Sequence, residues 1–136
     1  MKIEYQKVDI LDSASFIEVL RRSGLSERRP VNDEDRIARM LHNSNLIIVA
    51  RDTGTKTVVG VARSVTDYAY CCYLSDLAVD RDYQGQGIGK RLIEETRLAA
   101  GPESMCLLVS SPDAASFYKT IGMPRTDKAF LYNRER

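Results

Sequence analysis

The sequence predicts an α/β fold in one domain spanning residues 1–136, with a mixed sheet and the element order β-α-α-β-β-β-α-β-α-β. Three observations predict it. Short runs of alternating or continuous apolar residues recur between segments of helical periodicity. Three of these runs, residues 46–51, 57–65 and 71–79, stand in succession with only turn-forming residues between them, as antiparallel hairpins require. A glycine-rich turn, an amphipathic segment and a further apolar run follow, which is the pattern of a strand–helix–strand crossover.

Residues 2–8 read as the first strand. Ser13 can cap a helix running to residue 22, with Phe16, Ile17 and Leu20 on one face and Gly24 ending it. Asn32 can cap a second helix. Asp33, Glu34 and Asp35 would complement the dipole in its first turn, and Ile37, Met40 and Leu41 supply its apolar stripe. Residues 46–51 form a strand, and Asp52-Thr53-Gly54-Thr55 turns the chain back into the strand at 57–65. The strand at 71–79 feeds the amphipathic helix at 88–100, whose buried stripe is Ile88, Leu92, Thr96 and Ala99. Residues 105–109 make a fifth strand. Pro112 suits the first turn of a helix that includes Phe117 and Tyr118 and stops at Gly122. A last strand is expected at about 129–132.

With 136 residues the chain can bury a sizeable core. Its formal net charge of +1 announces neither nucleic acid nor an anionic membrane as partner. No apolar run approaches membrane-spanning length. Met1-Lys2-Ile3-Glu4-Tyr5 alternates in polarity and lacks the apolar core of a signal peptide, so a cytoplasmic location is expected. The cysteines, Cys71, Cys72 and Cys106, are odd in number and a poor disulfide framework; they read as small apolar fillers in a reducing compartment. No metal-ligand spacing occurs, and the single His42 suits a solvated helix end.

The chemistry concentrates in Tyr83-Gln84-Gly85-Gln86-Gly87-Ile88-Gly89-Lys90. A strand feeding a glycine-rich turn that opens a helix makes an anion cradle. The first-turn N–H groups have no partner within the helix, and the helix dipole favours negative charge there. Glycines at alternate positions let the backbone approach an anion without obstruction. Two familiar glycine motifs do not fit. Gln84 stands where a P-loop needs glycine, and Arg91 follows the Gly89-Lys90 pair in place of Ser or Thr. A dinucleotide fingerprint counted from Gly85 meets Lys90 at its last glycine position.

The pattern Gln/Arg-x-x-Gly-x-Gly/Ala, filled by Gln84, Gly87 and Gly89, does fit. It resembles the acetyl-CoA pyrophosphate loop of the GNAT superfamily of N-acetyltransferases. Ser111, Ala114, Phe117-Tyr118 and Gly122-Met123 stand at the spacings of a second motif of that family, with Ser111 where Asn is commoner. The resemblance covers essentially the whole chain. It implies acetyl-CoA as acyl donor, with no metal, and transfer to the primary amine of an acceptor, a small molecule in the leading reading, by direct attack in a ternary complex. A protein lysine or N-terminus as acceptor, or a non-catalytic acyl-CoA-binding regulator, are the alternatives. A monomer or homodimer is expected. The family implies that the fourth and fifth strands splay apart and that the notch holds the thioester. It implies cofactor contacts from Leu77, Ala78, Val79, Gln84, Gly85, Gln86, Gly87, Ile88, Gly89, Lys90 and Ser111. A strand N–H at Leu77 or Ala78 would face the developing oxyanion. Tyr118 would be the acid for the departing thiolate, since a phenol of pKa about 10 is protonated at neutral pH; packing in a core or interface is its other reading.

Asp76 is a charge inside an apolar strand. A carboxylate there must be solvated by a cleft, where it could serve as general base, or paired, for example with Arg63. Asp67 is the second candidate base. Gly60-Val61-Ala62-Arg63, Thr66-Asp67-Tyr68-Ala69, Ser75-Asp76-Leu77-Ala78-Val79-Asp80 and Arg22-Ser23-Gly24-Leu25 also resemble stretches of plastid serotonin N-acetyltransferases. The long N-terminal extension of those enzymes has no counterpart here, so a plastid address is not expected to carry over. Arg21, Arg22, Arg28 and Arg29 surround the joint between the first two helices. They could receive an acidic or phosphorylated amine or be a solvated basic turn. Tyr68, Tyr70 and Tyr73 offer aromatic area to an arylalkylamine or pack on the sheet surface.

Overall fold

The structure is a computed structural model that describes residues 2–136. The strands are β1 (Ile3–Val8), β2 (Leu46–Asp52), β3 (Thr57–Thr66), β4 (Cys71–Val79) and β5 (Met105–Leu107). The helices are α1 (Ser13–Ser23), α2 (Glu34–His42), α3 (Ile88–Ala100) and α4 (Ala115–Thr120). One sheet carries the strands in chain order, β1-β2-β3-β4-β5. The first three pairings are antiparallel. The α3 crossover then returns the chain to lay β5 parallel to β4.

Both faces of the sheet are covered, and this explains the unbroken apolar run of β2. Ile47 and Val49 pack with Phe16, Leu20 and Ile37 of α1 and α2 on one face. Leu46, Ile48 and Ala50 pack with Ile88, Leu92 and Ile93 of α3 on the other. Alternate β2 side chains thus enter different cores, so both must be apolar. The stripe of α3 is set by Ile88, Leu92, Ile93, Thr96 and Ala100, with Ala99 at its margin.

Both helix caps sit one residue away from the expected position, in opposite directions. The N-cap of α1 is Asp12 rather than Ser13, its Oδ2 accepting from the Ser15 N–H at 2.9 Å. The N-cap of α2 is Asp33 rather than Asn32, its Oδ1 accepting from the Arg36 N–H at 3.1 Å. In each case a carboxylate stands three residues before the N–H it satisfies and also meets the positive end of the helix dipole.

The expected last strand does not form. β5 ends at Leu107, short of 109, so it offers only three residues of edge. Residues 129–132 have a strand-like pattern but no partner, and they run irregularly with Phe130 98% and Tyr132 102% exposed. Further along the tail, Arg36 Nη2 of α2 donates to the Arg136 main-chain oxygen at 2.9 Å. Among the described residues, no helix is long and apolar enough to cross a membrane.

Leu92 is fully buried where α3 meets the sheet. Leu92→Ala should therefore cost about 2–5 kcal/mol of stability by the usual cavity penalty, read as a lowered midpoint in urea denaturation.

Candidate active site

β4 and β5 are paired only at Cys71–Met105, Cys72–Cys106 and Tyr73–Leu107, although β4 runs on to Val79. On the other side of β4, Arg63 faces Asp76 and Ser64 faces Leu74, so Ser75 is an extra residue. Such a bulge bends and twists its strand. Beyond it the two parallel strands part, and the β4 edge that faced β5 has no strand opposite. A cleft of about 670 Å³ opens there. Ser75 and Leu77 of β4 line it, as do Ser110 and Ser111 after β5 and Tyr118 of α4.

The glycine-rich turn adjoins this region. The Gln84 side-chain amide donates to the Val79 carbonyl at 3.0 Å, which ties the turn to the end of β4. The Tyr83 hydroxyl donates to Asp52 Oδ2 at 2.6 Å, which ties it to β2. Gly85 and Gly87 have φ of +80° and +82°, and a Cβ on either would meet open space. Glycine is needed there for backbone conformation, not because protein atoms crowd it. Gly87 caps α3 with no side-chain bond to the first turn, and the first helical bond runs from the Arg91 N–H to the Gly87 carbonyl. The N–H groups of Ile88, Gly89 and Lys90 therefore point out of a thirteen-residue helix with no acceptor inside it. Arg91 is turned away from this role. Its guanidinium binds Glu95 at 2.8 Å and stacks 4.8 Å from the centre of the Tyr5 ring.

Gly89 couples the cradle to Tyr118. A Cβ at Gly89 would come within 2.8 Å of Phe117 Cζ, so its absence lets α4 press on the first turn of α3. Phe117 and Tyr118 then stack edge to face at 5.1 Å. The Tyr118 hydroxyl has no hydrogen-bond partner among the described residues. Burial pushes its pKa above the usual phenol value, and nearby Arg29 offsets part of that rise. The phenol is thus a donor that stays protonated through the neutral range.

Asp76 is not solvated by the cleft. Its carboxylate is 0% exposed, and one oxygen accepts from Arg29 Nε and the other from Arg63 Nε, each at 2.5 Å. Arg29 Nη2 also donates to the Ser75 carbonyl at 2.9 Å, and Arg63 Nη2 to Ser75 Oγ at 3.0 Å. Of the two roles open for Asp76, this geometry meets the requirements of the paired one. Asp67 lies in the β3–β4 turn. Its Oδ1 accepts from the N–H groups of Ala69, Tyr70 and Cys71, which lower its pKa to about 2. A carboxylate that acidic holds a proton poorly at neutral pH.

Of the four arginines near the helix joint, only Arg28 and Arg29 line the cleft; Arg22 binds Glu18 at 2.6 Å instead. Of the three tyrosines, Tyr73 lines it, while the Tyr68 hydroxyl donates to the Asn45 carbonyl at 2.7 Å. Burial pushes the Cys106 thiol up to about 11, so it is a poor nucleophile. Sequence reasoning did not pair Arg29 with Asp76. The two are 47 residues apart, and no local pattern links them. The described residues contain no group of three or more His, Cys, Asp or Glu able to hold a metal.

Comparison with known proteins agrees with this architecture. A family model described as acetyltransferase (GNAT) domain matches residues 43–122, which include β2 to β5, the cradle and Tyr118. An uncharacterized N-acetyltransferase, ycf52, of Pyropia yezoensis is 33% identical over 60% of this chain and 49% of its own length. A soybean (Glycine max) protein named histone acetyltransferase TAP1 is 32% identical over 70% of this chain and 45% of its own length. The chain thus spans about half the length of the curated relatives it matches. A Staphylococcus aureus protein of unknown function described as a probable acetyltransferase superposes with a TM-score of 0.77 at 19% identity. That match covers 98% of this chain and 99% of the other, and it speaks to the fold alone.

Asp76→Asn keeps the shape of the side chain and leaves two guanidiniums facing a neutral amide. Breaking one partner of a buried pair should cost about 3–5 kcal/mol. Chemical denaturation should show that loss, and the activity lost per folded molecule should not return as pH is raised.

Proposed function

The chain belongs to the GNAT acetyltransferase family, and we propose that it transfers the acetyl group of acetyl-CoA to the primary amine of a small molecule. One observation carries this reading. A glycine-built anion cradle at the start of α3 adjoins the cleft between the parted ends of β4 and β5, and a half-buried tyrosine with a free hydroxyl lines that cleft.

Acetyl-CoA fits the chemistry of these groups. The pyrophosphate needs backbone donors and space, and both exist at Gly85 to Lys90. Leu77, Val79 and Ser111 would border the pantetheine arm, and Gln84 would hold the turn in place. In the reaction, the amine nitrogen bonds to the acetyl carbon as the carbon–sulfur bond breaks. A β4 N–H at Leu77 or Ala78 would face the developing oxyanion. Tyr118 gives its proton to the departing thiolate, and the proton shed by the amine passes to water in the cleft. Asp76 holds the bulged strand in place through its two arginines, and we assign it that positioning role in preference to general base.

A second reading has one observation in its favour: the soybean relative is named a histone acetyltransferase. The acceptor would then be a lysine of a protein. Thiol release from acetyl-CoA, measured with arylalkylamines, polyamines, amino acids, aminosugars and peptides, separates the two. Release confined to peptides would transfer the assignment to proteins. Acetyl-CoA binding without release from any amine would leave a binding regulator.

Two substitutions probe the parts separately. Gly87→Val places a branched side chain in a left-handed backbone conformation where phosphate must approach. Acetyl-CoA affinity measured by calorimetry should fall more than about tenfold, or about 1.4 kcal/mol. Tyr118→Phe removes only the hydroxyl. Turnover should fall by roughly 10²–10⁴ with acetyl-CoA affinity kept, and a turnover number equal to wild type across several pH values would return Tyr118 to a packing role.

A further inference from the structure

The cleft has an excess of positive charge that neither the cradle nor the reaction uses. Arg28, Arg29, Arg36, Arg63 and Arg134 line it, against a single lining carboxylate, Glu27. Asp76, behind the wall, offsets one more, which leaves three guanidiniums unmatched. The chain as a whole is nearly neutral, so this is a local concentration and not a consequence of composition. The residues of the glycine-rich turn do not line the cleft, so the pyrophosphate, held on α3, does not account for the charge. Arg29 and Arg63 are committed to Asp76 and Ser75, and Arg36 to the Arg136 carbonyl. The side chains of Arg28 and Arg134 make no hydrogen bond or ion pair with any described residue. They come from different segments, the connection between α1 and α2 and the C-terminal tail, and they share the wall of one cleft.

Guanidiniums in a concave site favour ligands with planar or tetrahedral oxyanions, and they repel a second ammonium group. Building on the acetyltransferase reading, we propose that the amine acceptor carries an anionic group, a carboxylate or a phosphate, which Arg28 and Arg134 receive. The same charge would disfavour polyamines and other polycationic acceptors. The same excess of positive charge disfavours the ammonium form of a bound acceptor and so favours its neutral, nucleophilic amine.

Matched acceptors differing only in the anion test this. Suitable pairs are glucosamine with glucosamine 6-phosphate, ethanolamine with O-phosphoethanolamine, and tryptamine with tryptophan. Thiol release should give a kcat/KM about tenfold or more higher for the anionic member of at least one pair, carried by a lower KM and reduced by added salt. The phosphate pairs and the carboxylate pair tell which anion is meant. In the Arg28→Gln/Arg134→Gln double variant that ratio should fall toward one through a raised KM, with the melting temperature of the wild type. Neutral or cationic members used as well as their anionic partners in every pair would overturn the proposal, and so would a ratio unchanged in the double variant. Acetyl-CoA binding with no turnover of any pair would overturn it while leaving the cradle intact. Failure to bind acetyl-CoA at all would overturn the underlying reading as well.

Discussion

The cleft depends on one buried carboxylate and the two guanidiniums that close on it. An unpaired aspartate with no solvent exposure would carry a prohibitive desolvation cost, so Asp76 constrains where Arg29 and Arg63 can go. Arg63 is its antiparallel neighbour on β3. Arg29 comes from the connection between α1 and α2 and also holds the Ser75 carbonyl. Three parts of the chain are thereby fastened around the one residue of β4 that is extra in the ladder. The bulge bends β4 where its pairing with β5 ends, and the space between the strands becomes usable.

The two halves of the site are built from different materials. The cradle is backbone, with glycines in left-handed conformations and the free N–H groups of α3. Its precision comes from anchors at its margins, Gln84 on the Val79 carbonyl and Tyr83 on Asp52. The cleft is side chain, with Tyr118 and the arginines set on separate elements. Gly89 joins the halves, because only a residue without Cβ lets Phe117 lie against the first turn of α3 and carry Tyr118 with it. A substitution at Gly89 would therefore disturb both the first turn of α3 and the position of Tyr118.

Charge and burial divide the titratable groups by task. The three backbone donors around Asp67 make it a turn-forming anion. Burial keeps Tyr118 protonated, which suits a donor. The cysteines of β4 and β5 sit where the strands still touch, and Cys106 is held as a thiol. In the proposed reaction, proton donation to the thiolate is assigned to the phenol, and proton removal from the amine to water.

Features that depend on neighbours along the chain were legible in the sequence. The periodicity of the α3 stripe, the limits of β4 at 71 and 79, and the glycine spacing at 85, 87 and 89 each follow from local geometry. The α/β class and the cradle followed from them, and the family motif around Tyr118 was readable as a spacing. Cap positions were missed by one residue because adjacent polar residues compete for the same role. The segment at 129–132 has strand periodicity, but a strand exists only with a partner, and the length of the β5 edge is a tertiary fact. Whether Asp76 is solvated or paired was undecided for the same kind of reason. A lone carboxylate in an apolar strand signals that it must be solvated or paired, and sequence alone does not say which. The arrival of Arg29 from 47 residues away decides it, because desolvation is offset only by charges that the fold brings within hydrogen-bond distance.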